Sequence, residues 1–379
     1  MNHEILQLLS RLISFQSETP KGRDVLEFIE KYLNNLGFEC IIKDFGPNLE
    51  VSNLYATYGN HSPNICFAGH VDVVPPGEKN LWQFDPYLMT IQNNKVYGRG
   101  IVDMKGAIAC ALSAAKHFTT REFNGSISFL LTTDEEGDGK YGLQEMLQYI
   151  SNDYPPIDFC ILGEPTSENK VGDMIKIGRR GSINFDVLIR GKQGHVAYPN
   201  LVINPTRELA SILKNLYELK LDAGNKYFAA SNLEITSVNT SSDISNVVPE
   251  SCQIKFNIRF NNLHTPDSLV ILIKQIVQDH CKASTSLSYT CSSLPFIQEI
   301  SQEMQECKKL IQDICNVESE FSTTGGTSDA RFIHQYCPVI ELGLKSDMAH
   351  KIDENCKISD LQKLYDVYIV LLAKFLKAN

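Results

Sequence analysis

Histidine and carboxylate side chains follow short apolar stretches at several widely separated places in this sequence. His70 comes directly after the stretch 65–69, and Asp72 follows two residues later. Ligands of open α/β sheets bind outside the carboxyl ends of the strands, so this pair is a candidate for a site at such an edge. Asp72 could accept a hydrogen bond from His70 and fix its tautomer, as the partner of a metal-bound histidine does. The alternative is a structural or solvent-facing loop histidine, which is the commoner case for a single histidine.

Two acidic segments carry further candidates. Asp103 lies in the glycine-rich segment 98–106, directly before an alanine-rich stretch that predicts a helix. It is either the N-cap of that helix or a carboxylate shared by two cations. Glu135 and Glu136 follow another apolar strand together with Asp134, and three consecutive carboxylates repel one another unless positive charge compensates them. Since neighbouring side chains of an extended chain point in opposite directions, one glutamate could bind a metal and the other a water.

The last two candidates are Glu164 and His350. Glu164 follows the apolar stretch 159–162 and a glycine, and Pro165 favours extended backbone at the glutamate. A surface turn with a solvated glutamate is the alternative for this segment. His350 comes after the predicted strand 339–342 and, taken alone, would be assigned to solvent.

Taken together, these positions form a ligand set that none of them indicates alone. Two histidines and three carboxylates at strand ends suit a pair of Zn²⁺-like ions that share Asp103. Four positive charges less three negative ones leave a net +1, which is enough to acidify a water toward neutral pH. Glu135 is then a general base beside that water. The predicted metal ligands are His70, Asp103, Glu136, Glu164 and His350.

These side chains need a sheet whose strand ends they share. Helical spacing and short apolar stretches alternate over 1–180 and again over 295–379, which indicates an α/β catalytic domain with a central, mostly parallel sheet flanked by helices. Residues 181–294 differ, because two stretches there alternate in the two-residue period of half-exposed strands beside two helices, which indicates an inserted α+β domain. Predicted helices cover 5–13, 25–36, 106–118, 205–219, 266–280, 302–315 and 359–377, and predicted strands cover 38–42, 53–58, 65–68, 126–132, 159–162, 182–190, 252–260 and 339–342.

The composition excludes several classes of protein. The chain has 379 residues, 43% of them hydrophobic, and a formal net charge of −10, so we expect neither wholesale disorder nor a nucleic-acid or membrane partner. Its 11 cysteines are dispersed without a CxxC pair, as is typical of thiols kept reduced in the cytoplasm. We expect no signal peptide and no membrane span. A GxGxxG string at 137–142 directly follows three carboxylates that would repel a pyrophosphate, so we treat it as chance.

Six motifs, taken in order, resemble those of the dinuclear zinc amidohydrolases, a family that includes aminoacylases and glutamate-type carboxypeptidases. The resemblance implies a catalytic domain and an inserted lid domain, residues 181–294, through which two subunits form a homodimer. It also implies two Zn²⁺ per subunit, for which Co²⁺ can substitute. The motifs are GHVDVVP (69–75), GRGIVDMKG (98–106), TTDEEG (132–137), LGEPT (162–166), GKQGHVAYP (191–199) and GGTSDARF (325–332).

The resemblance divides the five ligands between the two ions. One ion would be held by His70 and Glu164, and the other by Glu136 and His350. Asp103 would bridge the pair, and the peptide bond that follows it would be cis.

Three further residues take part in the chemistry that the resemblance implies. Asp72 would orient a ligand histidine, and Glu135 would act as the general base and acid. His195, in the lid domain, would reach into the partner subunit's active site and stabilise the oxyanion. A single loop histidine such as His195 would otherwise be assigned a structural or solvent-facing role.

Within the family the chain looks most like the desuccinylases, whose small-molecule substrate is a multiply charged amide with carboxylates at both ends. Such a substrate calls for fork-like cationic groups, although a surface ion pair is the alternative for each arginine. The rival functions are deacylation of another acylamino acid, as in acetylornithine deacetylase or aminoacylase, and a non-catalytic binding role on the same scaffold. The candidate substrate-binding residues are Arg179, Ser182, Tyr198, Asn246, Arg259, Gly326, Thr327 and Arg331.

Overall fold

Two units, each with its own hydrophobic core, make up the chain. The structure, a computed structural model, describes residues 3–137 and 139–377. The first unit is formed by the chain up to Ile177, by Gln298–Ser322 and by the chain from Ser328 onward, and the second by Gly178–Ile297 and Thr323–Thr327. Among the described residues, no helix is both long and apolar enough to cross a membrane.

Helices and strands alternate along most of the chain. The helices are α1 (His3–Ile13), α2 (Arg23–Asn35), α3 (Gly106–Thr119), α4 (Leu143–Asp153), α5 (Pro205–Glu218), α6 (Pro266–His280), α7 (Gln302–Cys315), α8 (Ala330–Ile333) and α9 (Ile358–Leu376). The strands are β1 (Glu39–Phe45), β2 (Val51–Tyr58), β3 (Asn64–His70), β4 (Thr90–Gln92), β5 (Lys95–Tyr97), β6 (Ser126–Thr132), β7 (Phe159–Leu162), β8 (Met174–Lys176), β9 (Gly178–Arg179), β10 (Gly181–Arg190), β11 (Gly194–His195), β12 (Asn232–Thr240), β13 (Val247–Val248), β14 (Ser251–Phe260), β15 (Ser284–Ser293), β16 (Phe296–Ile297), β17 (Glu320–Ser322), β18 (Val339–Glu341) and β19 (Asn355–Lys357).

A large sheet in the first unit carries parallel strands at its centre. Its strand order is β1-β2-β6-β3-β7-β18-β8-β17. Strand β3 pairs in parallel with β6 on one side and β7 on the other, and β7 pairs in parallel with β18. At one end of the sheet, β1 and β2 pair with each other in the antiparallel orientation. Every residue of β3 and β6 is buried, as expected for the central strands of a sheet that is covered on both faces. The predicted α/β fold with a mostly parallel central sheet is confirmed.

Helix α3 lies within the core of the first unit. Eleven of its residues are buried, and it packs against α1 and α9. A helix that is buried on nearly all sides must be apolar all round, which accounts for its alanine-rich sequence. The segment directly before it, Ile101–Lys105, also contacts α1, so the chain that leads into the helix is held in place as well.

The second unit contains a four-stranded antiparallel sheet with the order β12-β14-β10-β15. Helices α5 and α6 pack against it through apolar side chains such as Ile212 and Ile273, both fully buried. The sequence predicts the central strands β10 and β14 and both helices, but it misses β12 and β15. These edge strands are rich in polar residues and largely exposed, so they lack the apolar alternation that marks the central pair.

Candidate metal centre

Three neighbouring parallel strands end at one edge of the large sheet and deliver predicted site residues there. His70, at the end of β3, is in register with Thr132 at the end of β6, and Ala68 is in register with Leu162 at the end of β7. Side chains in the loops beyond such strand ends share one edge of the sheet, where ligands of α/β proteins bind. The acidic candidates in these loops are Asp72, Glu135, Glu136 and Glu164.

Asp103 is not the helix N-cap that one interpretation of the sequence suggested. Helix α3 begins at Gly106, its N-cap position is Lys105, and no side chain caps it. Asp103 itself has a non-helical backbone (φ −125°, ψ 92°). Its peptide bond to Met104 is cis, as the resemblance implied.

The two carboxylate oxygens of Asp103 face two different histidines. Oδ1 lies 3.0 Å from Nε2 of His70, and Oδ2 lies 3.3 Å from Nε2 of His350. Glu164 Oε1 lies 3.8 Å from the same nitrogen of His70, and Glu136 Oε1 lies 2.8 Å from that of His350. The structure thus brings all five predicted ligands together, in two groups that share one carboxylate.

The nitrogen and oxygen atoms of the five predicted ligands suit divalent cations. Oε1 of Glu164 is buried and has no hydrogen-bond partner among the described residues, which is costly for a carboxylate oxygen unless a cation satisfies it. One ligand atom each from His70, Asp103 and Glu136 lie within 4.8 Å of one another, and the same holds for His70, Glu135 and Glu164. Imidazole nitrogen and carboxylate oxygen are ligands that zinc and related ions accept.

Asp72 connects His70 to the acidic loop. Nδ1 of His70 is 2.9 Å from the main-chain oxygen of Asp72 and 3.6 Å from its Oδ1. The Asp72 carboxylate accepts hydrogen bonds from the backbone N–H groups of Glu135 (3.4 Å) and Glu136 (3.1 Å). Burial raises the pKa of Asp72 to about 6. Asp72 can therefore keep Nε2 of His70 aimed at an ion while it holds the loop of the two glutamates.

Negative charge in this site calls for compensation. Hydrogen bonds with Asp103 and Glu136 raise the pKa of His350 to about 10. For Asp103, burial acts in the opposite direction, but the two histidines outweigh it and hold the pKa well below its usual range. Burial, with neighbouring carboxylates, raises the pKa of Glu135 to about 8 and that of Glu164 well above its usual range. A raised pKa means that these groups keep their protons to a higher pH, which reduces the net negative charge of the site. Bound metal cations would reduce that negative charge in place of the protons.

Most of the chain matches a known family and known relatives. Residues 66–374 match peptidase family M20/M25/M40. The chain belongs to this family. Two curated relatives of this M20 chain are named succinyl-diaminopimelate desuccinylase. The protein of Rickettsia bellii (strain RML369-C) is 50% identical over 377 residues, which cover 98% of this chain and 96% of the relative. The protein of Orientia tsutsugamushi (strain Ikeda) is 48% identical over 377 residues, which cover 99% and 97%.

Solved structures share the fold of this M20 chain. The M20 family metallo-carboxypeptidase Sso-CP2 from Sulfolobus solfataricus has a TM-score of 0.80 at 18% identity, with 100% of both chains covered. Bacillus subtilis YXEP, described as a dinuclear metal binding peptidase from the M20 family, has a TM-score of 0.68 at 12% identity, covering 99% of this chain and 98% of that one. The family that the six motifs predicted is confirmed by the family match.

In the second unit of the M20 chain, Arg179 is held by a glycine-containing loop. Arg179 lies on β9, is buried, and donates a hydrogen bond from Nη1 to the main-chain oxygen of Thr324 (3.1 Å). Gly325 has a left-handed backbone (φ 99°), and a Cβ at this position would lie 2.6 Å from the same Nη1. The predicted residues Gly326 and Thr327 follow in this loop. The close approach of Nη1 of Arg179 to the backbone of residue 325 requires glycine at that position.

Ser182 and Arg259 are paired residues of neighbouring strands, β10 and β14. Oγ of Ser182 accepts a hydrogen bond from Nδ2 of Asn257 (3.0 Å). Burial, together with the positive charge of Arg180, lowers the pKa of Arg259. An anionic ligand would relieve this repulsion between the two guanidinium groups.

His195, Tyr198 and Asn246 form an exposed cluster beside the paired strands β11 and β13. The rings of His195 and Tyr198 meet edge to face with centroids 5.8 Å apart, and the backbone N–H of Val196 donates to the main-chain oxygen of Asn246 (3.2 Å). Nδ1 of His195 accepts a hydrogen bond from the backbone N–H of Ala197 (3.1 Å). In the neutral ring the proton is therefore on Nε2, which can donate.

Arg331, the remaining predicted residue, lies in the first unit on α8. Its Nη2 is 3.9 Å from Oδ1 of Asp329, a buried carboxylate. A residue that the sequence pattern does not single out is Glu354, which is fully buried and accepts hydrogen bonds from the segment before α3. The signal that could have found it is its position four residues after the candidate ligand His350.

Proposed function

We propose that the chain hydrolyses N-succinyl-L,L-2,6-diaminopimelate to succinate and L,L-2,6-diaminopimelate, a reaction of lysine and peptidoglycan precursor synthesis. The observation that carries the proposal is the 48–50% identity, over nearly the full length, to relatives named succinyl-diaminopimelate desuccinylase. The candidate metal centre supports it, because two ligand groups that share a carboxylate suit the hydrolysis of an amide.

Two Zn²⁺ per subunit, with Co²⁺ as a functional substitute, would be held by the five ligands. His70 and Glu164 would hold one ion, and Glu136 and His350 the other, with Asp103 between them. Bound there, such cations polarise a carbonyl oxygen and lower the pKa of a water toward neutrality. The support for this assignment is the unpartnered oxygen of Glu164 and the contacts of Asp103 on both of its oxygens.

Glu135 would be the general base and acid of the reaction. Its carboxylate lies within 4.8 Å of ligand atoms of His70 and Glu164. Glu135 would accept a proton from the attacking water and then donate it to the leaving amine, a role that needs a pKa near the operating pH. Burial that raises this pKa to about 8, against nearby positive charge that lowers it, suits that requirement. Asp72 would keep the Glu135 loop in position through its bond to the backbone.

Residues 181–294 would form a lid and dimerisation domain, so that the active enzyme is a homodimer. His195 of one subunit would donate a hydrogen bond from Nε2 to the oxyanion formed in the active site of the partner subunit. Its exposure and the bond that its Nδ1 accepts support this role, because they leave the Nε2 proton available. The eleven free cysteines fit a cytoplasmic enzyme, and we place it there.

Arginines would bind the carboxylates at the two ends of the substrate. The planar guanidinium group pairs with a carboxylate through two parallel hydrogen bonds, which a lysine cannot do. Polar groups and a glycine would complete the contacts. The arginines are Arg179, Arg259 and Arg331, and their companions are Ser182, Tyr198, Asn246, Gly326 and Thr327.

Hydrolysis of matched acyl substrates tests the proposal. The purified protein, loaded with Zn²⁺, should hydrolyse N-succinyl-L,L-diaminopimelate with a kcat/KM about a hundredfold or more above that for N-acetylornithine, because the former offers carboxylates at both ends to a charged site and the latter carries a single carboxylate. A preference for the acetyl substrate would favour a related deacylase. Two bound ions without hydrolysis of either substrate would favour a binding protein.

A further inference from the structure

Glu354 places a fully buried carboxylate against the segment that carries Asp103. Its Oε2 accepts hydrogen bonds from Nη1 of Arg99 (2.9 Å) and from the backbone N–H of Gly100 (2.8 Å). Its Oε1 accepts hydrogen bonds from the backbone N–H groups of Val102 (2.7 Å) and Asp103 (3.2 Å). One side chain thus fixes the backbone up to and including the proposed bridging ligand.

This segment depends on an acceptor from elsewhere in the chain. Asp103 and Met104 have non-helical backbone angles, so the regular hydrogen bonds of α3 begin only beyond them. Buried N–H groups without an acceptor cost free energy, and the Glu354 carboxylate supplies the acceptors that the helix does not. All four partners of the Glu354 carboxylate are donors, so it acts here as an acceptor only, and hydrogen bonds to an ionised acceptor are about twice as strong as bonds between neutral groups.

Glu354 is also joined to the turn that carries His350. His350 has a left-handed backbone (φ 61°), which a non-glycine residue keeps only where its surroundings impose it. The main-chain oxygen of Glu354 accepts a hydrogen bond from the N–H of Gly98 (3.0 Å), and Nη1 of Arg99 also donates to the main-chain oxygen of Lys351 (3.3 Å). Directly after this turn, β19 pairs with β5. Hydrogen bonds of Glu354 and Arg99 therefore join the turn to the segment before α3.

We infer that Glu354 is a positioning residue that sets the distance between Asp103 and His350 and thereby holds the ion that these two residues share. Two of the three segments that would form this ion position, those of Asp103 and His350, are joined to Glu354, and the third, the loop of Glu136, follows β6. The other ion would share Asp103, but its further ligands are His70, at the end of β3, and Glu164, in the loop after β7, so it depends less on Glu354. The inference rests on the proposed function for its two-ion centre and not for its substrate.

Zinc binding by Glu354→Gln tests this inference. Glutamine keeps the size of the side chain but turns an NH₂ group toward N–H donors, so two of the four hydrogen bonds become repulsive contacts. We expect the dissociation constant of one Zn²⁺ to rise about 10–100-fold, as for other residues that position metal ligands. The constant of the other Zn²⁺ should change by less than about threefold, and His350→Ala identifies which ion is which. Competition with a chromophoric chelator measures both constants without substrate, and kcat should fall while KM stays nearly constant.

Leu33→Ala is the matched control for a loss of stability alone. Leu33 is fully buried on α2, which packs against β1 and β2, so its truncation should lower the melting temperature and leave both zinc constants unchanged. Zinc constants equal to those of the wild type in Glu354→Gln, with a melting temperature lowered as in the control, would overturn the inference. If Glu354→Gln does not fold, Glu354→Asp is measured in its place, because aspartate keeps the charge but withdraws it by one methylene. The same changes in the zinc constants would then support or overturn the inference. A wild-type chain that binds fewer than two Zn²⁺ would overturn the inference as well, whereas two bound Zn²⁺ without hydrolysis of the succinyl substrate would contradict the proposed function alone.

Discussion

Nε2 of His350 lies 2.8 Å from Oε1 of Glu136, although 214 residues separate the two in the sequence. The same nitrogen is 3.3 Å from Oδ2 of Asp103, so two carboxylates crowd one imidazole. Carboxylates this close repel one another unless positive charge lies between them. Without a cation, the protonated ring of His350, whose pKa is raised to about 10, supplies this positive charge, and a bound cation would supply it in place of the proton.

Removal of metal should both inactivate and destabilise the protein. An ion present at about a hundred times its dissociation constant stabilises the folded state by about 2.7 kcal/mol, so dialysis against a chelator should lower the melting temperature as well as abolish hydrolysis. Re-addition of Zn²⁺ or Co²⁺ should restore both properties. Full activity in protein shown to be metal-free by elemental analysis would contradict the proposed centre.

Replacement of Glu135 should separate metal binding from turnover. Glu135→Ala removes the proposed proton acceptor but none of the five proposed ligands, so two Zn²⁺ should stay bound while kcat falls about 10²–10⁴-fold. Steady-state kinetics together with zinc stoichiometry measures the two effects. Glu122→Ala, at an exposed glutamate of the same unit, is the control and should keep wild-type turnover. Activity retained in Glu135→Ala would refute the assignment of the base.

Much of the fold could be predicted because its elements carry strong local signals. Helix α6 is predicted over 266–280 and observed at Pro266–His280, where Thr265 and Ser268 form a capping box at its start. The sequence does not predict helix α4, since it follows a glycine-rich loop and no side chain caps its start. Nor does it predict the two edge strands of the second unit, because their polar side chains do not need burial.

The sequence predicts the residues of the candidate site but not the residues that hold them in position. Each carboxylate that follows an apolar strand is conspicuous, because solvated acidic runs seldom come directly after buried residues. The sequence alone allows Asp103 to be either a helix N-cap or a metal ligand. The structure excludes the N-cap, because helix α3 begins at Gly106 and its N-cap position is Lys105. Glu354 gave only a weak signal, its position four residues after His350, because a single glutamate in a polar loop looks solvated until tertiary structure buries it.

Loss of His195 should depress kcat more than KM. If Nε2 of His195 donates to the oxyanion, the bond is made in the transition state and not in the ground state, so His195→Ala should lower kcat about 10²–10³-fold. His61→Ala, at another exposed histidine, is the control and should be neutral. A His195→Ala variant whose kcat equals that of the wild type would argue against the oxyanion role.

Asp222 should make the stability of the protein depend on pH. Its carboxylate accepts hydrogen bonds from the N–H of Ser231 (3.2 Å) and from Nδ2 of Asn261 (2.8 Å), and Nε2 of His264 is 3.2 Å away. Burial acts in the opposite direction, but these bonds outweigh it and lower the pKa of Asp222. A carboxyl group with a lowered pKa stabilises the fold above its unfolded pKa of about 3.9, and this contribution is lost as the pH falls through the folded value.

Asp222→Asn tests this pH dependence, because it removes the titration and nearly preserves the shape of the side chain. We expect this variant to be about 1–3 kcal/mol less stable than the wild type near neutral pH, with a difference that shrinks as the pH falls below about 4. Urea unfolding at a series of pH values measures it. A difference that stays constant over that range would show that the charge of Asp222 contributes nothing.

Gly325→Ala should impair substrate binding through Arg179. The added Cβ would lie 2.6 Å from Nη1 of Arg179, and the left-handed backbone (φ 99°) already disfavours alanine, so the guanidinium must move. If Arg179 binds a substrate carboxylate, KM for the succinyl substrate should rise about tenfold or more, because a charge-assisted hydrogen bond is lost, while the zinc content stays the same. Gly224→Ala strains another left-handed glycine of the same unit (φ 77°) against the main-chain oxygen of Phe228 and should lower stability without raising KM. Equal KM values for the two variants would remove Arg179 from the proposed substrate contacts.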